Sequence, residues 1–369
     1  MALSTFQTKM TKSKYDQVKL ENRIIYIDLL RVLATFFVML IHVSATNYSH
    51  LDPTTYEWNI LNIYDSLARW VVPMFAMLSG IFFLNINKPL TLKKLYTKSI
   101  FRVVLALLAW GFIYQIYKGL LGHTIDRYLL IDTVKIIFQG KTQYHLWFLY
   151  MIIGLYIITP VLRIFMKSAM KKDIEYFLLF SFIFTSLLPT LNRFEPLNFV
   201  APFFIKFNVS LVLGYTIYFV MGYYLANYNL SRKIKNLFYT LGILGLFVTM
   251  IGTRILSLEN GSPDTFLYYY LRANVFFTSV AVFLFGKEFL QKIQFSERSL
   301  KVISILSSYS FGMYLVHDMI RTILMRFGID NLLFNQIFSV PIITVIIFII
   351  SFIVTYFVRK IPYFGKRIT

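Results

Sequence analysis

The chain reads as an all-α membrane protein with about ten transmembrane helices. Three observations predict that class. Apolar residues make up 57% of the 369 positions and charged residues only 15%. The mean hydropathy is +0.64. Apolar runs of about 20 residues recur along the chain, the length a helix needs to cross the hydrocarbon of a bilayer. The runs are continuous rather than alternating, which selects helices over a closed barrel, the two structures that satisfy every backbone group in lipid.

A polar, lysine-rich tail comes first, over 1–23. Ten spans follow, over 24–45, 67–84, 100–117, 146–162, 174–191, 209–224, 234–255, 266–289, 302–325 and 337–358. They form one transmembrane unit over 24–358, closed by a basic tail over 359–369. The fifth span is short and runs into Pro189. The polar stretch before the fourth, 118–145, has room for one amphipathic helix. A basic start, an apolar core over 32–41 and Val43-Ser44-Ala45 resemble a signal peptide, but Asp28 and Arg31 crowd that core.

Alternate loops are basic. Lys9, Lys12, Lys14, Lys19 and Arg23 precede the first span; Lys88, Lys93, Lys94 and Lys98 follow the second. Lys167, Lys171 and Lys172, then Arg232, Lys233 and Lys235, then Lys287, Lys292, Arg298 and Lys301 continue the pattern. Intervening loops are poorer in cations and carry Asp52, Glu57, Asp65, Arg193, Glu195, Glu259 and Asp264; only the third, with Arg127, Lys135 and Lys141, departs. The positive-inside rule then predicts both termini in the cytoplasm. The net charge of +20 sits mainly in these short loops, so membrane headgroups are the expected partner and nucleic acid is not. There is no cysteine, and the five histidines include no close pair, so no metal site and no resident cofactor are expected.

The first span carries Arg31 and His42, with ten residues between them. An eleven-residue step returns to within roughly 20° of the same helix face, about 16 Å further along the axis. Ionisable groups are costly in hydrocarbon, so a pair placed this way points to function. Arg31 cannot lose its proton and grips phosphate through a rigid fork of donors. An imidazole near the opposite boundary suits general-base work near neutral pH. Asp28, one turn before Arg31, reads as its ion-pair partner.

These residues carry a resemblance to the acyltransferase-3 family of membrane acyltransferases, whose signature is Arg, ten residues, then His on the first transmembrane helix. Further matches follow in order: Val72-Pro73-Met74-Phe75 with Ser79-Gly80, then His145-Leu146-Trp147-Phe148-Leu149, then Ser310-Phe311-Gly312-Met313-Tyr314-Leu315-Val316-His317. The resemblance implies transfer of an acyl group, most often acetyl, from cytosolic acyl-CoA to a hydroxyl of a cell-envelope polysaccharide or lipid-linked glycan. It implies a multi-pass protein of a bacterial plasma membrane, with a donor role for Arg31 and a catalytic one for His42. Lys98 and Arg102, four apart on one helical face, stand where some members carry an Arg-x-Arg pair and are donor-binding candidates. His145, Trp147, Tyr314 and His317 are acceptor-site candidates, joined by Arg69, Arg272 and Arg321 as cations able to hold a pyrophosphate or an acidic sugar. The sequence ends at Thr369 without the fused esterase-like domain of many relatives. It is more similar to stand-alone members such as those that acetylate enterobacterial common antigen. Homo-oligomerisation is compatible with all of this. A transporter or flippase for envelope glycans or lipids is the other reading, but it does not explain why Arg31 and His42 share a face at opposite depths.

Overall fold

The computed structural model describes residues 25–122, 129–195 and 214–369. The predicted N-terminal tail, His123 and most of the first half of the sixth span lie outside the described residues. Within them the chain is helical without strands. Nine helices among the described residues are long and apolar enough to cross a membrane. The chain is an all-α, multi-pass membrane protein.

The first span, α1 (Ile25–Ser44), is followed by α2 (Tyr56–Ala68) and α3 (Val71–Phe83). Here the structure departs from the sequence reading, which began the second span at 67 and left Glu57 and Asp65 in a loop. Both lie on α2, capped by the Thr55 side chain accepting from the Trp58 N–H at 3.3 Å. Polar residues lower the hydropathy of this stretch, yet Trp58, Leu61, Asn62 and Asp65 are buried on it. The break at Arg69-Trp70 precedes Pro73, whose missing N–H cannot serve an unbroken helix. A helical start at Leu92 passes through a π-helical turn, Leu95–Ile100, into α4 (Phe101–Gly122). The expected amphipathic helix is α5 (Leu129–Phe138). A 3-10 turn, Tyr144–Leu146, opens α6 (Trp147–Ser168).

Next comes α7 (Lys171–Phe182), extended through a π-helical turn to Leu191. The described part of the sixth span belongs to α8 (Thr216–Asn227). A third π-helical turn extends α9 (Arg232–Phe247) to Asn260. The chain ends with α10 (Ala273–Glu288), α11 (Glu297–Arg326), α12 (Gln336–Lys360) and the short α13 (Gly365–Ile368). The last segment turns back onto α4, so Gly365, Ile368 and Thr369 are buried.

Helix α1 is central. It packs against α2, α3, α10, α11 and α12. Glycines bring other helices close enough to join this centre without a hydrophobic drive between them. Gly80 on α3 faces the Phe219 backbone, and Gly222 on α8 faces the Met77 backbone, so a Cβ at either would collide with main chain. Contacts of α1 with α11 pair residues of almost constant separation: Arg31 with Ser307, and His42 with His317. The two helices therefore run parallel, and α1 presents Arg31 and His42 to α11 at two levels.

Candidate active site

At the level of Arg31, its Nη1 donates to Ser307 Oγ at 3.1 Å and lies 3.5 Å from Asp28 Oδ1. Ser307 in turn donates to Asp28 Oδ1 at 2.5 Å. The guanidinium faces a cavity of about 450 Å³ shared by α1, α3, α4, α6 and α11. Arg31 and Arg102 stand in its wall, together with Ser79, Ser99, Ser307, Ser308 and Ser310. Lys98, the other donor-binding candidate on α4's approach, is exposed and does not line it.

The cavity also reaches three rings, Phe75, Phe148 and Tyr314. Their centroids lie 5.8 Å apart for Phe75 and Phe148, 5.5 Å for Phe148 and Tyr314, and 6.4 Å for Phe75 and Tyr314. Tyr314 touches the far side too. Its ring lies 5.6 Å from His317 and 5.7 Å from His145, and its hydroxyl donates to the His145 carbonyl. The aromatic trio thus separates the Arg31 cavity from a second constellation.

That constellation gathers three helices. α1 brings His42 at its last turn. The turn before α6 brings Gln143, Tyr144 and His145. On α11, Tyr314, His317, Asp318 and Arg321 fall at helical spacing on one side. The His42 ring lies 5.0 Å from His317 and 6.4 Å from His145, and His145 lies 5.1 Å from His317. Asp318, fully buried, is the hub. Its Oδ1 accepts from Tyr144 at 2.8 Å and from Arg321 Nε and Nη2 at 2.8 Å each, and its Oδ2 accepts from Gln143 at 2.6 Å. Every partner donates, which is what an ionised carboxylate requires. Arg321 Nη1 also donates to Thr46 Oγ1 at 2.9 Å, and Thr46 donates to the His42 carbonyl at 2.9 Å, so the end of α1 is tied to α11.

The hydrogen bonds assign the His42 tautomer. Tyr144 has one proton and gives it to Asp318. Its 3.1 Å contact with His42 Nδ1 therefore has the imidazole N–H as donor. The lone pair of His42 is then on Nε2, and His42 is only half-buried. His317 donates Nδ1–H to the Tyr314 carbonyl at 2.5 Å, which leaves its Nε2 buried and unpartnered among the described residues. Among the described residues neither nitrogen of His145 has a hydrogen-bond partner, though Nδ1 is 3.8 Å from Asp318 Oδ2. No group of three His, Asp or Glu among the described residues is arranged to hold a metal ion.

The structure brings His42, His145, Tyr314, His317 and Arg321 together and sets Arg31 and Arg102 apart from them in the cavity. Trp147 stands beside the cluster, stacked on Tyr270 at 5.9 Å and 5.7 Å from Tyr215. Arg69 pairs with buried Asp65 and lies 4.1 Å over Tyr268 and 5.9 Å over Tyr270. Arg272 is committed elsewhere, to the Pro189 and Phe266 carbonyls at 2.7 and 3.3 Å and to the Phe266 ring at 3.8 Å. Sequence reasoning missed Asp318, Tyr144 and Gln143. Asp318 had a signal: a carboxylate inside an apolar span, three residues before an arginine. Tyr144 and Gln143 had none beyond standing next to His145.

A family model described as an acyltransferase domain matches residues 24–359. Searches of curated proteins and of solved structures find no match.

Proposed function

The chain belongs to the acyltransferase-3 family of membrane acyltransferases, and on that premise we propose that it O-acylates a cell-envelope glycan or lipid-linked sugar with acetyl from cytosolic acetyl-CoA. The proposed setting is a bacterial plasma membrane with both termini in the cytoplasm. The observation that carries the reading is the alignment along α1 and α11 of an Arg31-lined cavity and the His42 cluster, parted only by the aromatic trio.

The donor enters from the Arg31 end, and its thioester reaches the trio. The acceptor hydroxyl comes from the other end, where Trp147, Tyr270 and Tyr215 offer aromatic faces to a sugar. His42 Nε2 takes the hydroxyl proton as the oxygen attacks the thioester carbonyl carbon. The C–O bond forms, the tetrahedral intermediate collapses, the C–S bond breaks, and the CoA thiolate takes the proton back from the imidazolium. Asp318, held by Arg321, acts through Tyr144 to fix the imidazole tautomer and to favour its charged form in the transition state. Direct transfer needs no second nucleophile.

The test is acetyl transfer by purified protein in nanodiscs, with acetyl-CoA and glycans from cells lacking the gene. Mass spectrometry is expected to show a gain of one acetyl mass on the acceptor, together with release of CoA. Transport of the glycan across a sealed vesicle without that mass gain would favour the flippase reading.

A further inference from the structure

A second cavity, of about 410 Å³, lies where α12 ends. It is lined by Arg102, Tyr309, Tyr356, Arg359, Lys360 and Lys366. Four of these six are cations, and among the described residues no Asp or Glu lines either this cavity or the Arg31 cavity. The two cavities meet at Arg102, which belongs to both linings. They also meet at Ser308, which lines the first and whose carbonyl accepts from Arg359 Nη2 at 2.5 Å.

Arg102, Arg359 and Lys360 are held rather than loose. The Arg359 guanidinium lies 4.1 Å over Tyr309, and the Lys360 ammonium 4.4 Å over Tyr356. The Thr369 main-chain oxygen accepts from Arg102 Nη2 at 2.7 Å and from Arg359 Nη2 at 3.4 Å. One shared oxygen thus keeps two guanidiniums side by side. Snorkelling to headgroups accounts for exposed lysines at a helix end. It does not account for a cationic cavity that continues inward past Arg102 to Phe148.

A ligand that fills both cavities has a polyanionic head and a slim tail. The tail would pass five serines, Ser79, Ser99, Ser307, Ser308 and Ser310, whose hydroxyls suit amide groups. We infer that the second cavity seats the phosphate-bearing end of the acyl-CoA donor, with Arg359, Lys360 and Lys366 as its phosphate ligands and Arg102 at the junction. This rests on the acyl-CoA reading above and adds residues outside the first helix to the donor site. Arg fits phosphate through paired donors, and Lys adds point charge.

The test uses the full-length protein in nanodiscs of neutral phosphatidylcholine. Equilibrium binding of CoA, dephospho-CoA and pantetheine is measured for wild type, for Arg359→Gln and for the double variant Lys360→Gln/Lys366→Gln. Wild type is expected to bind CoA more tightly than dephospho-CoA, and both more tightly than pantetheine. Each variant is expected to lose about tenfold in CoA affinity and none in pantetheine affinity, the effect of one charge-assisted hydrogen bond. Both lysines are exposed, so the double variant decides the matter if Arg359→Gln does not fold. Unchanged CoA affinity in the folded variants overturns the assignment, as does equal wild-type affinity for CoA and pantetheine. A lipid-headgroup site predicts an effect only with phosphatidylglycerol present and none on CoA affinity in neutral nanodiscs, which overturns it too. Acetyl transfer is read on the same samples. Phosphate-dependent CoA binding without any transfer keeps this site and removes the proposed function.

Discussion

The Tyr144 hydroxyl stands 3.1 Å from His42 Nδ1 while giving its own proton to Asp318. One phenol therefore fixes which imidazole nitrogen is free to act. Tyr144→Phe removes the acceptor of the Nδ1–H and leaves ring packing almost unchanged. The net value of such a bond is about 1 kcal/mol, so kcat is expected to fall roughly fivefold. CoA affinity should not move, because Tyr144 does not line the donor cavity. A variant with wild-type kcat would remove Tyr144 from the proton path.

Arg31→Lys keeps the charge and loses the fork that reaches a phosphate or a polar donor group in two places. Donor affinity is expected to fall markedly, measured as Kd for CoA or as KM for acetyl-CoA at saturating acceptor. Ser307 and Asp28 already hold Arg31 in position. Acyl-CoA binding by Arg31→Ala at wild-type strength would show that the donor contacts lie elsewhere.

In the proposed mechanism the trio of Phe75, Phe148 and Tyr314 bounds the space open to the acyl group. Removing a ring from this wall enlarges it towards the histidines. Phe148→Ala is expected to raise kcat/KM for butyryl-CoA relative to acetyl-CoA by about tenfold or more, since each methylene that a pocket accepts or refuses is worth about 1–3 kcal/mol. The ratio is measured with both donors on one preparation. An unchanged ratio in a folded variant means the acyl group does not pass between these rings.

Much of the fold was legible because a bilayer makes hydrophobicity nearly sufficient. Spans such as α6 and α12 fell where apolar runs placed them. The start of the second span did not, because α2 carries Glu57, Asn59, Asn62 and Asp65 on a helix whose buried face includes polar groups. Hydropathy registers composition, and it does not register that Asn62 donates to the Met250 carbonyl at 2.9 Å or that Asp65 pairs with Arg69. In the candidate site, Arg31 and His42 could be read from spacing on one helix. That they lie on opposite sides of an aromatic wall required α3, α6 and α11 together. Asp318 carried a local signal in Arg321 three residues on, but its place as the hub could not be read from spacing, because its other partners Gln143 and Tyr144 come from a turn about 175 residues away. Arg69 and Arg272 looked alike in sequence, yet one packs beneath Tyr268 and Tyr270 and the other is bound to the Pro189 carbonyl.

The proposed orientation, argued from the charge pattern, has the Arg31 end and both termini facing the cytoplasm. Tags at residues 1 and 369 are expected to resist external protease in intact cells and to be cleaved only after lysis. Cleavage of either tag in intact cells would invert or break that arrangement and leave Arg31 facing away from cytosolic acyl-CoA.

The central claim is that His42 takes the proton from the acceptor hydroxyl, and His42→Ala tests it most directly. A positioned imidazole contributes about 10²- to 10⁴-fold to such a step. The measurement is single-turnover acetyl transfer in nanodiscs alongside equilibrium CoA binding, for His42→Ala, His145→Ala and His317→Ala. The account predicts transfer lost by at least two orders of magnitude in His42→Ala, with CoA affinity close to wild type. Full transfer in His42→Ala, with loss in His317→Ala or His145→Ala, would contradict it and move the base to α11 or to the turn before α6.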